Sequence, residues 1–311
     1  MSLYPPPQMI TAEVFCRLPD EFRRPGVNNE WANLNRAGVD CFLEGPSFDK
    51  QGNLYVVDIP FGRIFKIDPS GKFVLICEYD GWPNGLKIHK DGRIFIADYK
   101  NGIMVLNPGT GEIRPLLKGI NSEGFKGCND LHFGSDGALY FTDQGQTGLH
   151  DPSGRVYRWQ EERDQLDCLI NCVPSPNGLV LDVEEKNLFV AVTRANAIWR
   201  VPLRKSGGTS KVGLFIQLSG GRSGPDGLAL DGSGRLFVCH AGLGTVWIFD
   251  VLGRPIYGIT APEGLGTTNC AFGGEENKTL FIVESDTGSI LKTRLDIPGR
   301  KMFSGSAGNS R

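Results

Sequence analysis

The chain has 311 residues, a formal net charge of −2, 42 glycines, 19 prolines and eight cysteines. That charge, with no basic stripe, gives no ground for nucleic-acid binding, and no run of about 18 apolar residues is present to cross a bilayer. The glycines and prolines ask for many turns, and so for a chain of short strands.

The first residues, MSLYPPPQMITAEVF, lack the basic-then-apolar pattern of a signal peptide, so a cytoplasmic location is expected. Residues 12–18, AEVFCRL, read as a strand outside any repeat. Residues 19–40 form a long polar insertion, of the kind that serves as a lid or binding loop. Asn28, Asn29 and Trp31 are its candidates to overhang a pocket, with a plain surface loop as the alternative reading. Six units follow. They open on LEGPSFDKQGNLYVVD, WPNGLKIHKDGRIFIAD, CNDLHFGSDGALYFTD, SPNGLVLDVEEKNLFVAV, GPDGLALDGSGRLFVCH and TNCAFGGEENKTLFIVE. Each reads as up to four strands rich in β-branched and aromatic residues, with Asp-Gly and Ser-Gly steps suited to hairpins. No segment longer than about ten residues keeps a helical period.

The polar residue opening each unit is Glu44, Asn84, Asn129, Asn177, Asp226 and Asn269, at separations of 40, 45, 48, 49 and 43 residues. Periods of that size signal a solenoid or propeller. The expected fold is an all-β, six-bladed β-propeller of four-stranded antiparallel blades, a single domain over residues 1–311. The last unit is short of a strand. The segment at 12–18 is expected to supply it and close the ring, which removes a free edge. Residues 298–311 are expected to be a flexible tail.

The first strand of a propeller blade lines the central channel, so the six opening residues form a ring at one mouth. All six offer side-chain oxygens, the ligand type of a hard cation such as calcium. A bound cation also relieves the repulsion between two acids in a low-dielectric channel. Asn or Asp before Gly is equally ordinary turn chemistry; Glu44 is not a turn former, and it stands out for that reason. The last residue of each second strand recurs 14 or 15 positions on, as Asp58, Asp98, Asp143, Val192, His240 and Glu284. These are expected to make a second ring further out.

The set EGP, ND, PNGL and PDGLALD, in this order over residues 40–293, resembles the senescence marker protein (regucalcin) and gluconolactonase family. Diisopropyl fluorophosphatase and paraoxonase are related propellers. The resemblance implies a divalent metal in the central channel, most often Ca2+, with Mg2+, Mn2+ or Zn2+ able to serve. It implies Glu44, Asn129, Asn177 and Asp226 as its ligands and a small-molecule lactone as substrate. Asp226 is then general base or nucleophile, and Asp130 orients the ligands. Sugar-lactone members place Arg two residues before the Asn of ND and an acid 18 residues after it; Gly127 and Thr147 stand there here, with Lys126 beside the first. This departure puts sugar lactones in doubt. Asn84, Asp143, Gln144, His150, His240, Asn269 and Trp31 are candidate substrate contacts.

His132 is expected to be structural within the channel and His89 exposed. No His/Cys cluster has zinc-ligand spacing, and no G-x-S-x-G elbow is present. The eight cysteines have no framework spacing and are expected to be free thiols, with the Cys168-x-x-x-Cys172 pair a weak signal. Three alternatives to a lactonase stay open: an aryl-ester or organophosphate hydrolase on the same scaffold, a non-catalytic calcium-binding propeller, and a strictosidine synthase-like protein. The last would not be expected to keep the full metal quartet.

Overall fold

The structure, a computed structural model, describes residues 4–27, 30–31, 39–204 and 207–305. Six blades form, as the repeat predicts. Their inner strands are Leu43–Phe48, Pro83–Ile88, Cys128–Phe133, Pro176–Leu181, Gly224–Leu230 and Thr267–Gly273. Each inner strand packs against that of the next blade, and the sixth packs against the first, so the ring closes. The second strands, such as Leu54–Asp58 and Ile94–Asp98, are buried on both faces because a neighbouring blade abuts each face. The outer strand Phe73–Glu78 instead mixes buried Phe73 and Cys77 with exposed Val74, Leu75 and Glu78. Helix among the described residues is confined to short 3-10 turns, and none is long and apolar enough to cross a membrane.

Glu13–Arg17 pairs antiparallel with Ser289–Arg294 and completes blade six, as expected of the strand at 12–18. A strand the sequence did not reveal, Gln8–Thr11, pairs parallel with Pro255–Thr260 and widens blade five to five strands. The two are joined through Ala12, which is buried and donates its N–H to Thr260 O (2.9 Å). The chain therefore staples blades five and six along their outer edges.

Residues 298–305 differ from the flexible tail expected at 298–311. They cross the lower mouth of the channel. Gly299 N–H donates to Asn277 O (2.8 Å) and Arg300 N–H to Leu230 O (2.9 Å). The Arg300 guanidinium caps Leu181 O (2.7 Å) and Asp182 O (2.9 Å) and pairs with Glu185. Phe303 is buried against His89 and Phe133. His89, expected to be exposed, is buried beneath that ring. One arginine and one phenylalanine dock a segment that has no strand pattern; residues 306–311 lie outside the described residues. All eight cysteines are free thiols.

Candidate active site

At the upper mouth, where the inner strands begin, lies a cavity of about 640 Å³. Glu44, Asn129, Asn177 and Asp226 all line it, as does Asn84. Five different blades thus bring oxygen donors to one space. The glycine that follows four ring residues is the local reason. A Cβ on Gly45 would strike Asn84 O, one on Gly85 would strike Asp130, one on Gly178 would strike Asp226 O, and one on Gly227 would strike the Asn269 amide. Of the four, only Gly45 has a left-handed φ, +59°. The Asn-Gly and Asp-Gly steps at the ring therefore serve close approach of blades rather than tight turns.

Asn269 sits behind the cavity wall. Its amide donates to Glu44 Oε2 (2.9 Å) and Asp130 Oδ2 (3.3 Å), while its Oδ1 accepts from Cys270 N–H (2.9 Å). Both amide hydrogens hold carboxylates, and Asn269 is buried outside the cavity lining, so it does not stand where the expected substrate contact would be made. Asp130 points down the channel, with Lys87 Nζ at 3.9 Å. Burial, then the Asp130 charge, pushes the Glu44 carboxyl up to about 7. Burial likewise holds Asp130 above its ordinary value. Deeper still, burial and then the Arg300 and Lys87 charges push His132 down to about 3, which fits its structural reading.

The second ring turns away from the cavity. Asp143 Oδ1 accepts from Gly127 N–H (2.8 Å) and Asp58 Oδ1 from Phe42 N–H (2.7 Å); Glu284 accepts from Gly266 N–H (2.8 Å). Each acid ties down the backbone two or three residues ahead of its own blade's ring residue. Asp143 is thereby corrected from substrate contact to backbone clamp. His240 is fully buried under Gly221, and its Nδ1 accepts from Trp247 Nε1 (3.3 Å), so it too is withdrawn from the cavity. A buried polar group at a strand end takes the nearest unpaired N–H or side chain, and the strand period alone does not reveal that choice.

Gln144 does line the cavity, and it also orients a ring residue. Asn129 Nδ2 donates to Gln144 Oε1 (2.9 Å), and Gln144 Nε2 donates to Ser175 Oγ (3.0 Å). The first bond uses the donor end of the Asn129 amide and leaves Oδ1 to accept or ligate. Thr142 Oγ1 donates to Asn177 O (2.8 Å) and accepts from Asp130 N–H (3.1 Å), tying the blade-three and blade-four ring positions together. Thr147 Oγ1 donates to Gln144 O (2.6 Å) and accepts from Ser175 N–H (3.1 Å), which fixes the loop that carries Gln144. If Asn129 Oδ1 ligates a divalent metal, replacing Gln144 with Leu is expected to weaken metal affinity about tenfold with the fold intact, the effect of losing a group that orients a ligand. Metal titration followed by thermal melting measures it.

Trp31 lines the cavity beside Phe42, ring centroids 4.8 Å apart, and with Ile59 forms an apolar wall. Asn28 and Asn29 lie outside the described residues. His150 lines the mouth, as do Tyr99, Ser223 and Arg194, which the sequence reading missed. Arg194 lies two residues past Val192, the position where unit four lacks the acid of the second ring. That gap was the available signal.

The family follows from comparison with known proteins. The profile of the SMP-30/Gluconolactonase/LRE-like region matches residues 42–286. The chain belongs to that family. It is 32% identical over 281 residues to lactonase drp35 of Staphylococcus aureus (strain MRSA252), covering 85% of each chain. Among solved structures of similar fold, a calcium-binding regucalcin of Agrobacterium tumefaciens superposes with a TM-score of 0.75 at 21% identity, over 95% of this chain and 98% of that one. A gluconolactonase of Xanthomonas campestris gives 0.72 at 22%, over 92% and 100%. In this SMP-30/gluconolactonase chain the matched region takes in all six ring residues.

Proposed function

We propose that the protein is a metal-dependent hydrolase that opens a lactone. The observation that carries the proposal is the convergence of Glu44, Asn129, Asn177 and Asp226 on one cavity, in a family whose relatives include a lactonase. The donor set fits a hard divalent cation, Ca2+ first. It is two carboxylates and two amides, and no group of three or more His, Cys, Asp or Glu residues suited to a metal occurs among the described residues. Glu44 is a buried carboxylate raised toward 7, and a cation beside it would offset its desolvation.

Those four residues would hold the cation, which when bound supplies Lewis acidity toward the ester carbonyl. Asp226 is the base or nucleophile: its carboxylate either takes the proton of a water that adds to the ester carbon and expels the ring oxygen as the product hydroxyl, or attacks that carbon itself, expelling the ring oxygen and leaving an acyl anhydride that water then hydrolyses. Asn84 presents its amide to the lactone oxygens, while Gln144 takes the donor end of the Asn129 amide and leaves Asn129 Oδ1 for the cation. Trp31, Phe42 and Ile59 shield the apolar part of the ring from water. Asn269, bonded to both Glu44 and Asp130, holds Glu44 in place from behind.

Chelator-stripped protein, resupplied with calcium, magnesium, manganese or zinc, is to be assayed by pH indicator on aldonolactones, aliphatic γ- and δ-lactones, aryl esters and organophosphates. Metal-restored turnover of lactones is the expected result. Turnover confined to the aryl esters or organophosphates would replace the substrate assignment. Metal binding without any turnover would make the protein a binding propeller. Glu44→Gln, which removes one of two carboxylates, is expected to lower metal affinity at least tenfold. It reads out as a smaller melting shift at a fixed metal concentration, since stabilisation follows RT ln(1 + [L]/Kd).

A further inference from the structure

The charges that line the cavity are unevenly placed. Glu44 and Asp226 lie at the ring, and their two negative charges equal in size the charge of one divalent cation. Arg194 is the remaining Asp, Glu, Lys or Arg among the described lining residues. It stands at the mouth, exposed, and makes no ion pair with any described residue. With the ring charges offset by a cation, Arg194 leaves one positive charge among the described residues of the lining.

Its backbone is held on both sides. Arg194 sits in the 3-10 turn Thr193–Ala195, closed by Asn196 at φ 49°. Thr193 N–H donates to Ser175 O (3.0 Å), and Thr193 Oγ1 donates to Pro225 O (2.8 Å). Ser175 is two residues ahead of Asn177, and Pro225 directly precedes Asp226. Arg194 is therefore fixed in register with two of the four ring donors. A Cβ at Gly148 would lie 3.7 Å from Arg194 Cγ and 3.1 Å from His150 Nδ1, so the guanidinium stem and the imidazole flank the same glycine. Gly148 itself is pinned by paired backbone bonds with Asp151 (2.9 and 3.1 Å). Trp31, Phe42 and Ile59 elsewhere on the lining are apolar or aromatic.

We infer that Arg194 determines specificity by binding an anionic substituent, a carboxylate or phosphate monoester, on the lactone ring. The guanidinium fork matches either group with two N–H donors. The substrate then spans the cavity with its ester at the ring of oxygen donors and its anionic group at blade four. The inference rests on the lactone-hydrolase reading and adds the substrate's charge to it.

The test uses the full chain with metal and three forms: wild type, Arg194→Gln and Arg194→Glu. Substrates are γ- and δ-lactones, unsubstituted and with the same ring bearing a carboxylate or a phosphate monoester. Wild type is expected to favour an anionic member by about 10–100-fold in kcat/KM, as a charge-assisted hydrogen bond provides; whichever anionic series carries the preference identifies the group. Arg194→Gln should reduce that preference to a few-fold, chiefly through KM, and Arg194→Glu should invert it. A role in folding alone would lower all substrates together and leave the ratio unmoved. If wild type opens the unsubstituted and anionic rings equally, or the preference survives in Arg194→Gln, the inference fails while the hydrolase reading stands. If wild type with metal opens no lactone, the hydrolase reading fails and this inference goes with it.

Discussion

Asp226→Asn is expected to lower kcat/KM for lactone opening by roughly 10²–10⁴-fold, the range a positioned base contributes. The change keeps the shape of the side chain and one oxygen for a cation, but removes the basic carboxylate. The backbone around Asp226 is packed: its carbonyl is the surface against which Gly178 packs, and the preceding Pro225 carbonyl accepts from Thr193 Oγ1 (2.8 Å). Asn keeps these backbone contacts, and melting without metal reports any stability change separately from turnover. Metal affinity should fall, because one of two negative charges at the ring is lost. Saturating metal therefore separates the two effects. If turnover returned to near the wild-type value once the site was filled, Asp226 would be a ligand and nothing more. If turnover stayed lost at saturation, the carboxylate takes part in the chemistry as base or nucleophile.

The ring was legible because of the repeat. A period of 40–49 residues assigns every unit the same position, so Glu44, Asn129, Asn177 and Asp226 could be placed on one axis without any knowledge of their neighbours. The strand at 12–18 was legible because the last unit was visibly short. What stayed hidden depends on contacts between units. Asn269 occupies the ring position yet spends its amide on Glu44 and Asp130, 225 and 139 residues away. Asp143 and His240 were placed correctly at the ends of their strands, but buried partners turn their side chains aside. Arg300 and Phe303 dock by side-chain contacts with loops of blades two, three and four, which no local pattern foretells. Periodicity places a residue; the nearest unsatisfied partner decides where its side chain goes.

The ring glycines make this dependence on neighbouring blades testable. Gly178→Ala is expected to destabilise the protein by about 1–3 kcal/mol or more, the cost of forcing atoms into a packed interior. The added methyl would strike the carbonyl oxygen of Asp226 and the backbone of Gly227, neither of which is a flexible end able to move aside. Relief requires blades four and five to separate at the point where Asn177 and Asp226 meet the cavity. A displacement there of the order of 1 Å can cost about 10²-fold in rate, so activity should fall further than stability alone explains. Gly213→Ala is the matched control. It lies in the outer strand of the same blade, with nothing within 4 Å of a built Cβ and no left-handed φ. It should fold and turn over like wild type. Chemical denaturation with metal-saturated activity on both variants measures the contrast. Equal behaviour of the two would mean that blade spacing at the ring is looser than the packing implies.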